Sequence, residues 1–135
     1  MPSKKEPRGI RNNNPLNIRI GNTWLGEVPH PTESSFEQFV SMTYGIRAGF
    51  IILRRYIRRY KRNTIRKIIS SWAPASENAT EKYIAFVAKD MKMDPDTPIL
   101  YEDVITMASL VDAMIMMECG QRINRKDIID GYKMA

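Results

Sequence analysis

The chain has 135 residues, 43% of them hydrophobic and 27% charged, the balance of one globular domain with room for a single core. Its formal charge of +6 and pI near 9.6 favour polyanionic partners: nucleic acid, acidic lipid or an acidic cell wall. The single cysteine excludes an internal disulfide, and no apolar run approaches the ~20 residues of a membrane span. MPSKKEPRG is basic but has no apolar segment behind it, so no secretory signal is expected. The one histidine, His30, lies far from Cys119 in sequence, which argues against a zinc site or a Cys–His nucleophile. No metal or cofactor is expected.

In chain order, residues 1–8 read as a flexible arm and 9–135 as one domain. Gly9 to Ile20, GIRNNNPLNIRI, is the most unusual stretch. Three asparagines before a proline cannot propagate a helix, because Asn side chains compete for nearby backbone groups and Pro15 restrains Asn14. The result is an amide-rich loop, suited either to hydroxylated ligands or to an array of Asx turns that holds its own backbone. Ile18 and Ile20 alternate like a short strand, Gly21-Asn22 supplies a turn, and Phe36 to Val40 reads as a second strand. Trp24 on such a hairpin stacks on a sugar face or anchors the core.

Thr43 is placed as the cap of a helix reaching about Tyr60, with Ile46, Phe50, Leu53, Ile57 and Tyr60 on its apolar seam. Its arginines, with Lys61, Arg62, Arg66 and Lys67 beyond, attract polyanions or form the wet side of an amphipathic helix. A helix from Thr64 carries Ile65, Ile68, Ile69 and Trp72 inward, with Trp72 assigned to the core, and stops at Ala73-Pro74. Asn78-Ala79-Thr80-Glu81 resembles a capping box opening a helix to about Met91, with Tyr83, Ile84, Val87 and Ala88 inward. Asp94-Pro95-Asp96-Thr97-Pro98 is a linker, and a last helix spans about Asn124 to Tyr132.

The organising stretch is Glu102 to Gly120, EDVITMASLVDAMIMMECG. Val104, Ala108, Val111 and Ile115 share one helical face, and continuing the spacing by three reaches Glu118. A carboxyl at the end of a buried stripe costs desolvation energy unless it is hydrogen-bonded or used as an acid with a raised pKa. The plainer alternative is a helix-end glutamate turned to solvent, beside the stop signal Gly120. This helix is expected to pack centrally against those at 43–60 and 79–91. The fold class is mainly α, five or six helices with a small N-terminal β-hairpin.

Taken together, RGIRNNNP and WAPxxENxTxxY resemble a family of small phage and prophage proteins, virion-associated or involved in lysis. That family is in turn similar to the lysozyme-like lytic transglycosylases. The resemblance implies a peptidoglycan-cleaving glycosidase that acts on glycan strands, with other virion proteins as further partners. It would be made in the cytoplasm and act at the bacterial cell wall. Glu118-Cys119-Gly120 resembles the catalytic Glu-Ser-Gly that usually ends an early helix, so the motif order implies a circular permutation. The cysteine departs from that pattern. Asn13-Asn14-Pro15-Leu16-Asn17-Ile18 resembles the substrate loop, and Thr80 to Ile84 resembles the segment whose tyrosine, here Tyr83, faces the cleft. The resemblance thus implies Glu118 as general acid, Asn13, Asn14, Asn17, Trp24 and Tyr83 as substrate-binding residues, and Glu33 as the candidate second carboxylate. Two other readings compete. One is a virion-structural or wall-binding protein that keeps the fold without the chemistry. The other is nucleic-acid binding, not expected because the arginine run lacks interleaved aromatic platforms.

Overall fold

The computed structural model describes residues 6–74 and 76–135, and they form six helices: α1 Arg8–Arg11, α2 Met42–Arg58, α3 Ile65–Trp72, α4 Glu77–Met91, α5 Val104–Cys119 and α6 Arg125–Met134. None of them is long and apolar enough to cross a membrane. α5 is the core. Met107, Ala108, Leu110, Val111, Ala113, Met114 and Ile115 are all fully buried, so the helix is apolar around most of its circumference. The single seam expected for α5 understates this, and Val104 on that seam is only half-buried. α4 and α6 pack against α5. Ile46, Phe50, Leu53 and Ile57 of α2 share one hydrophobic core with α5, and α6 is the main backbone neighbour of α2. Gly131 makes that contact possible, since a Cβ there would meet Ile46 Cγ2 at 2.5 Å.

Local chemistry sets the helix ends. Thr64 Oγ1 accepts from Lys67 N at 3.1 Å, Asp103 Oδ1 from Thr106 N at 3.2 Å, and Asn124 Oδ1 from Lys126 N at 2.9 Å. α4 is capped by Ser76, whose hydroxyl accepts from Ala79 N at 3.2 Å; Asn78, the expected cap, already lies inside the helix. Likewise α2 starts at Met42 after Ser41, one residue before the expected cap Thr43. α2 stops at Arg58, and Lys61 turns the chain with φ 56°, so Tyr60 leaves the seam and is 48% exposed. Gly120, φ 71°, ends α5 in the left-handed region that glycine adopts without strain.

The N-terminal third departs most from expectation. Of the arm expected over residues 1–8, residues 1–5 lie outside the described residues, and Arg8 opens α1. No strand occurs among the described residues; the hairpin is reduced to two isolated antiparallel bridges, Arg19↔Phe36 and Glu27↔Phe39. Residues 36–40 pair first with 18–20, through Glu37 N to Ile18 O and Ile20 N to Ser35 O. They then pair with 26–28, through Val28 N to Gln38 O and Val40 N to Gly26 O. Each pairing lasts one bridge because the partner segment changes in between, so no ladder propagates.

Two carboxyl groups meet on the inner side of these bridges. Glu37 is 4% exposed, with Oε2 buried and unpartnered. Burial first, and then the charge and hydrogen bond of Glu27, push its carboxyl up to about 7. Trp24 N–H donates to Glu27, which ties the second carboxylate in place.

Two predictions follow from this packing. A Cβ at residue 45 would fall 1.9 Å from Asn13 O, so Gly45→Ala must push α2 off the asparagine loop. The expected loss is about 1–3 kcal/mol in denaturant unfolding. Because the folded-state pKa of Glu37 is raised, its stabilising contribution is complete below the ordinary carboxyl range near 4.5 and is lost as pH rises through about 7. Wild-type Tm should therefore fall between pH 4.5 and 8, and Glu37→Gln should flatten that slope.

Candidate functional site

α5 delivers Glu118 to the mouth of a cleft of about 440 Å³, lined among others by Arg8, Asn17, Arg19, Phe36 and Trp72. A second cavity of about 290 Å³ shares Asn17, Arg19 and Trp72 and runs on to Asn22 and Tyr56. The two cavities adjoin across these shared walls and form one groove. Trp72, assigned to the core from its spacing, is half-buried, and its ring meets Tyr56 edge-on with centroids 6.4 Å apart. It forms the wall that both halves of the groove share.

Both oxygens of Glu118 are held. Asn17 Nδ2 donates to Oε1 at 3.0 Å, and the Tyr83 hydroxyl donates to Oε2 at 3.1 Å. Burial raises the Glu118 pKa, and the two hydrogen bonds and the Arg8 charge pull it back only in part, so the net shift is upward. Burial and the adjacent glutamate push the Tyr83 phenol strongly up, so it keeps its proton and remains a donor. The arrangement is a half-buried carboxyl, fixed in orientation, lining an open groove. Chemically it can carry and release a proton there.

Backbone geometry explains the placement of Asn17. Asn13 and Asn17 adopt φ 53° and 52°, a left-handed conformation that asparagine tolerates better than most residues. These two reversals bracket Asn14-Pro15-Leu16 and direct Asn17 toward the end of α5. Gly9 lets α1 approach that same end, since a Cβ there would meet Cys119 Sγ at 2.7 Å and Asn14 O at 2.8 Å. Cys119, the departure from the Glu-Ser-Gly pattern, donates its thiol to Pro15 O at 3.2 Å. Its pKa is pushed up to about 11 by burial and by Glu118, so it stays a neutral thiol that ties α5 to the loop.

The other candidates lie elsewhere. Asn14 is fully buried; its amide donates to Ile18 O and Glu37 O at 2.9 and 3.0 Å and accepts from Ile18 N at 3.0 Å. No donor is left for a ligand. Asn13 Nδ2 donates to Phe39 O at 3.0 Å. Both asparagines therefore follow the alternative in which the loop holds its own backbone. Trp24 packs on the core with its indole N–H buried and unpartnered, and it lines neither cavity. Glu33 also lines neither; its N–H donates to Gln38 Oε1 at 3.2 Å. No group of three or more His, Cys, Asp or Glu side chains among the described residues could hold a metal ion.

Arg8, Arg19, Phe36 and Trp72 were not singled out from sequence. The two arginines flank the asparagine run in RGIRNNNPLNIR, which was the available signal.

No family model matches the sequence. Over 117 residues the chain is 43% identical to Protein P5 of Pseudoalteromonas phage PM2, an alignment covering 84% of this chain and 71% of that protein. Identity at that level across most of both chains shows common descent, and the chain belongs to the family of this phage protein.

Proposed function

We propose that the protein is a phage-derived glycosidase that cleaves peptidoglycan strands, with Glu118 as its general acid. The observation that carries this reading is the oriented, half-buried carboxyl of raised pKa lining the groove. The lysozyme-like relationship, with its acid moved by permutation to a late helix, belongs to the same proposal.

A one-carboxylate course suits these residues. Protonated Glu118 gives its proton to the glycosidic oxygen as the bond to the anomeric carbon breaks. A hydroxyl of the same sugar closes onto that carbon to form an anhydro ring, and its proton returns to Glu118. Asn17 and Tyr83 hold the carboxyl through both transfers, which keeps the orientation cost out of the reaction step. Glu33 lies outside the groove, so no second carboxylate is assigned a role.

A second reading, wall binding or virion assembly without turnover, is favoured by one observation. Both Glu118 oxygens are already hydrogen-bonded, an arrangement that also serves as a purely structural tie between α5, α4 and the asparagine loop.

Mass spectrometry of digested peptidoglycan decides between the readings. Anhydro-muramyl ends support the proposed course, reducing muramic ends mean hydrolysis, and no products favour the binding reading. Glu118→Gln should keep the fold and lower turnover by about 10²–10⁴-fold or more, the usual worth of general-acid assistance. Because the pKa of Glu118 is raised, the acid form persists above the ordinary carboxyl range. The rate should therefore be high at acidic pH and fall as pH rises through that raised pKa. The asparagines should separate cleanly. Asn17→Ala should depress turnover more than Tm, whereas Asn14→Ala should depress Tm while turnover per folded molecule is retained.

A further inference from the structure

We propose that Arg8 and Arg19 form a carboxylate-binding subsite beside Glu118, so that the groove prefers glycans bearing an acidic substituent over neutral ones. The proposal rests on the glycan reading of the groove and adds which glycans it takes.

The two guanidinium groups converge on one aromatic ring. Arg8 Cζ lies 3.7 Å and Arg19 Cζ 4.7 Å from the centroid of Phe36, which is itself 7% exposed. The Arg19↔Phe36 bridge fixes one of these contacts through the backbone, and α1 supplies the other. An aromatic face holds a guanidinium by cation–π attraction and restricts its motion, so both groups are oriented before any ligand arrives. Phe36 and both arginines line the same cavity as Glu118.

Neither guanidinium at this place is held in an ion pair. Arg58, Arg66, Arg122 and Arg125 each pair with a carboxylate, but among the described residues neither Arg8 nor Arg19 does. The remaining residues, Met1 to Lys5 and Ala75, include no acidic side chain. Glu118 is the charge neighbour of Arg8, but the two form no ion pair among the described residues, because the Glu118 oxygens are taken by Asn17 and Tyr83. Two like charges near one ring repel each other, and an anion bound in the cavity that both line offsets that repulsion. Guanidinium forks match a carboxylate with paired hydrogen bonds, which a neutral sugar hydroxyl cannot replace. A glycan whose sugars carry carboxylate substituents or short acidic peptides presents such a group along the chain. A neutral N-acetylglucosamine polymer does not.

The test uses the full chain carrying Glu118→Gln, to prevent turnover, titrated by calorimetry. The probes are a neutral N-acetylglucosamine hexamer, soluble peptidoglycan fragments bearing free carboxylates, and inorganic phosphate. The acidic fragments should bind about tenfold more tightly or better than the hexamer, with a preference that shrinks as salt is raised. Adding Arg8→Gln and Arg19→Gln together should erase the preference, weakening the acidic fragments about tenfold more than the hexamer. Arg8→Lys with Arg19→Lys, which keeps the charge and the aliphatic stems, should restore part of it and covers the case where the glutamine pair fails to fold. Equal affinity for both glycans, or a preference that survives the double glutamine variant, overturns the subsite while leaving the glycan reading intact. Phosphate binding as tight as the acidic fragments would make the pair a general anion site and also overturns it. If neither glycan binds, the reading of the groove falls together with the subsite.

Discussion

The fully buried amide of Asn14 is the interaction on which the site's geometry depends. Its donors reach two carbonyls from different segments, Ile18 and Glu37, and its oxygen takes the Ile18 N–H. One side chain thus performs the work of a sheet ladder in a region where no ladder forms. An unpaired buried amide would cost more than each such bond contributes, so the three bonds act together rather than independently. Phe36 and Phe39, on either side of Glu37, then sit on the inner side of the fold, and Asn17 is carried to Glu118.

Around this anchor, close backbone approach replaces side-chain packing. Gly9 and Gly45 lie against Asn14 and Asn13 from α1 and α2, at separations that no Cβ could occupy. The loop is clamped between two helices, and its rigidity comes from that exclusion of side-chain volume as much as from hydrogen bonds. Position 119 shows the same economy. A thiol there makes the tie to Pro15 O, so the departure from serine keeps a local donor.

The helices were legible because their signals are local. The apolar seams over Ile46–Ile57 and Ile65–Ile69 and the breaker residues at Pro74 and Gly120 appear where spacing and backbone preference place them. Helix caps moved by two residues where polar candidates stood close together, as with Ser76 and Asn78. Glu118 was legible as a polar residue continuing an apolar stripe. What sequence could not supply was partnership across long separations. The asparagine run is compatible equally with a ligand-facing loop and a self-bonded one, and only the position of Glu37 and Phe39 decides that Asn13 and Asn14 turn inward. Trp72 and Phe36 look like core residues by spacing, and their exposure to the groove depends on where the N-terminal third folds back. The hairpin was overread because alternation over three to five residues specifies extended backbone without specifying its partner.

The separation of the two halves of the site also has a consequence for biosynthesis. Asn17 and Glu118 are 101 residues apart, and Cys119 and Pro15 are 104 apart. A chain emerging from the ribosome can build α2, α3 and α4 before α5 exists, but the groove then lacks the Glu118 carboxyl. Closing so long a loop is entropically late, because its cost must be met before the contacts it enables are formed. The groove is therefore complete only once α5 has docked and carried Glu118 to a loop synthesised long before it. A nascent or truncated chain that stops short of residue 118 lacks that carboxyl and both of the long-range ties to the loop.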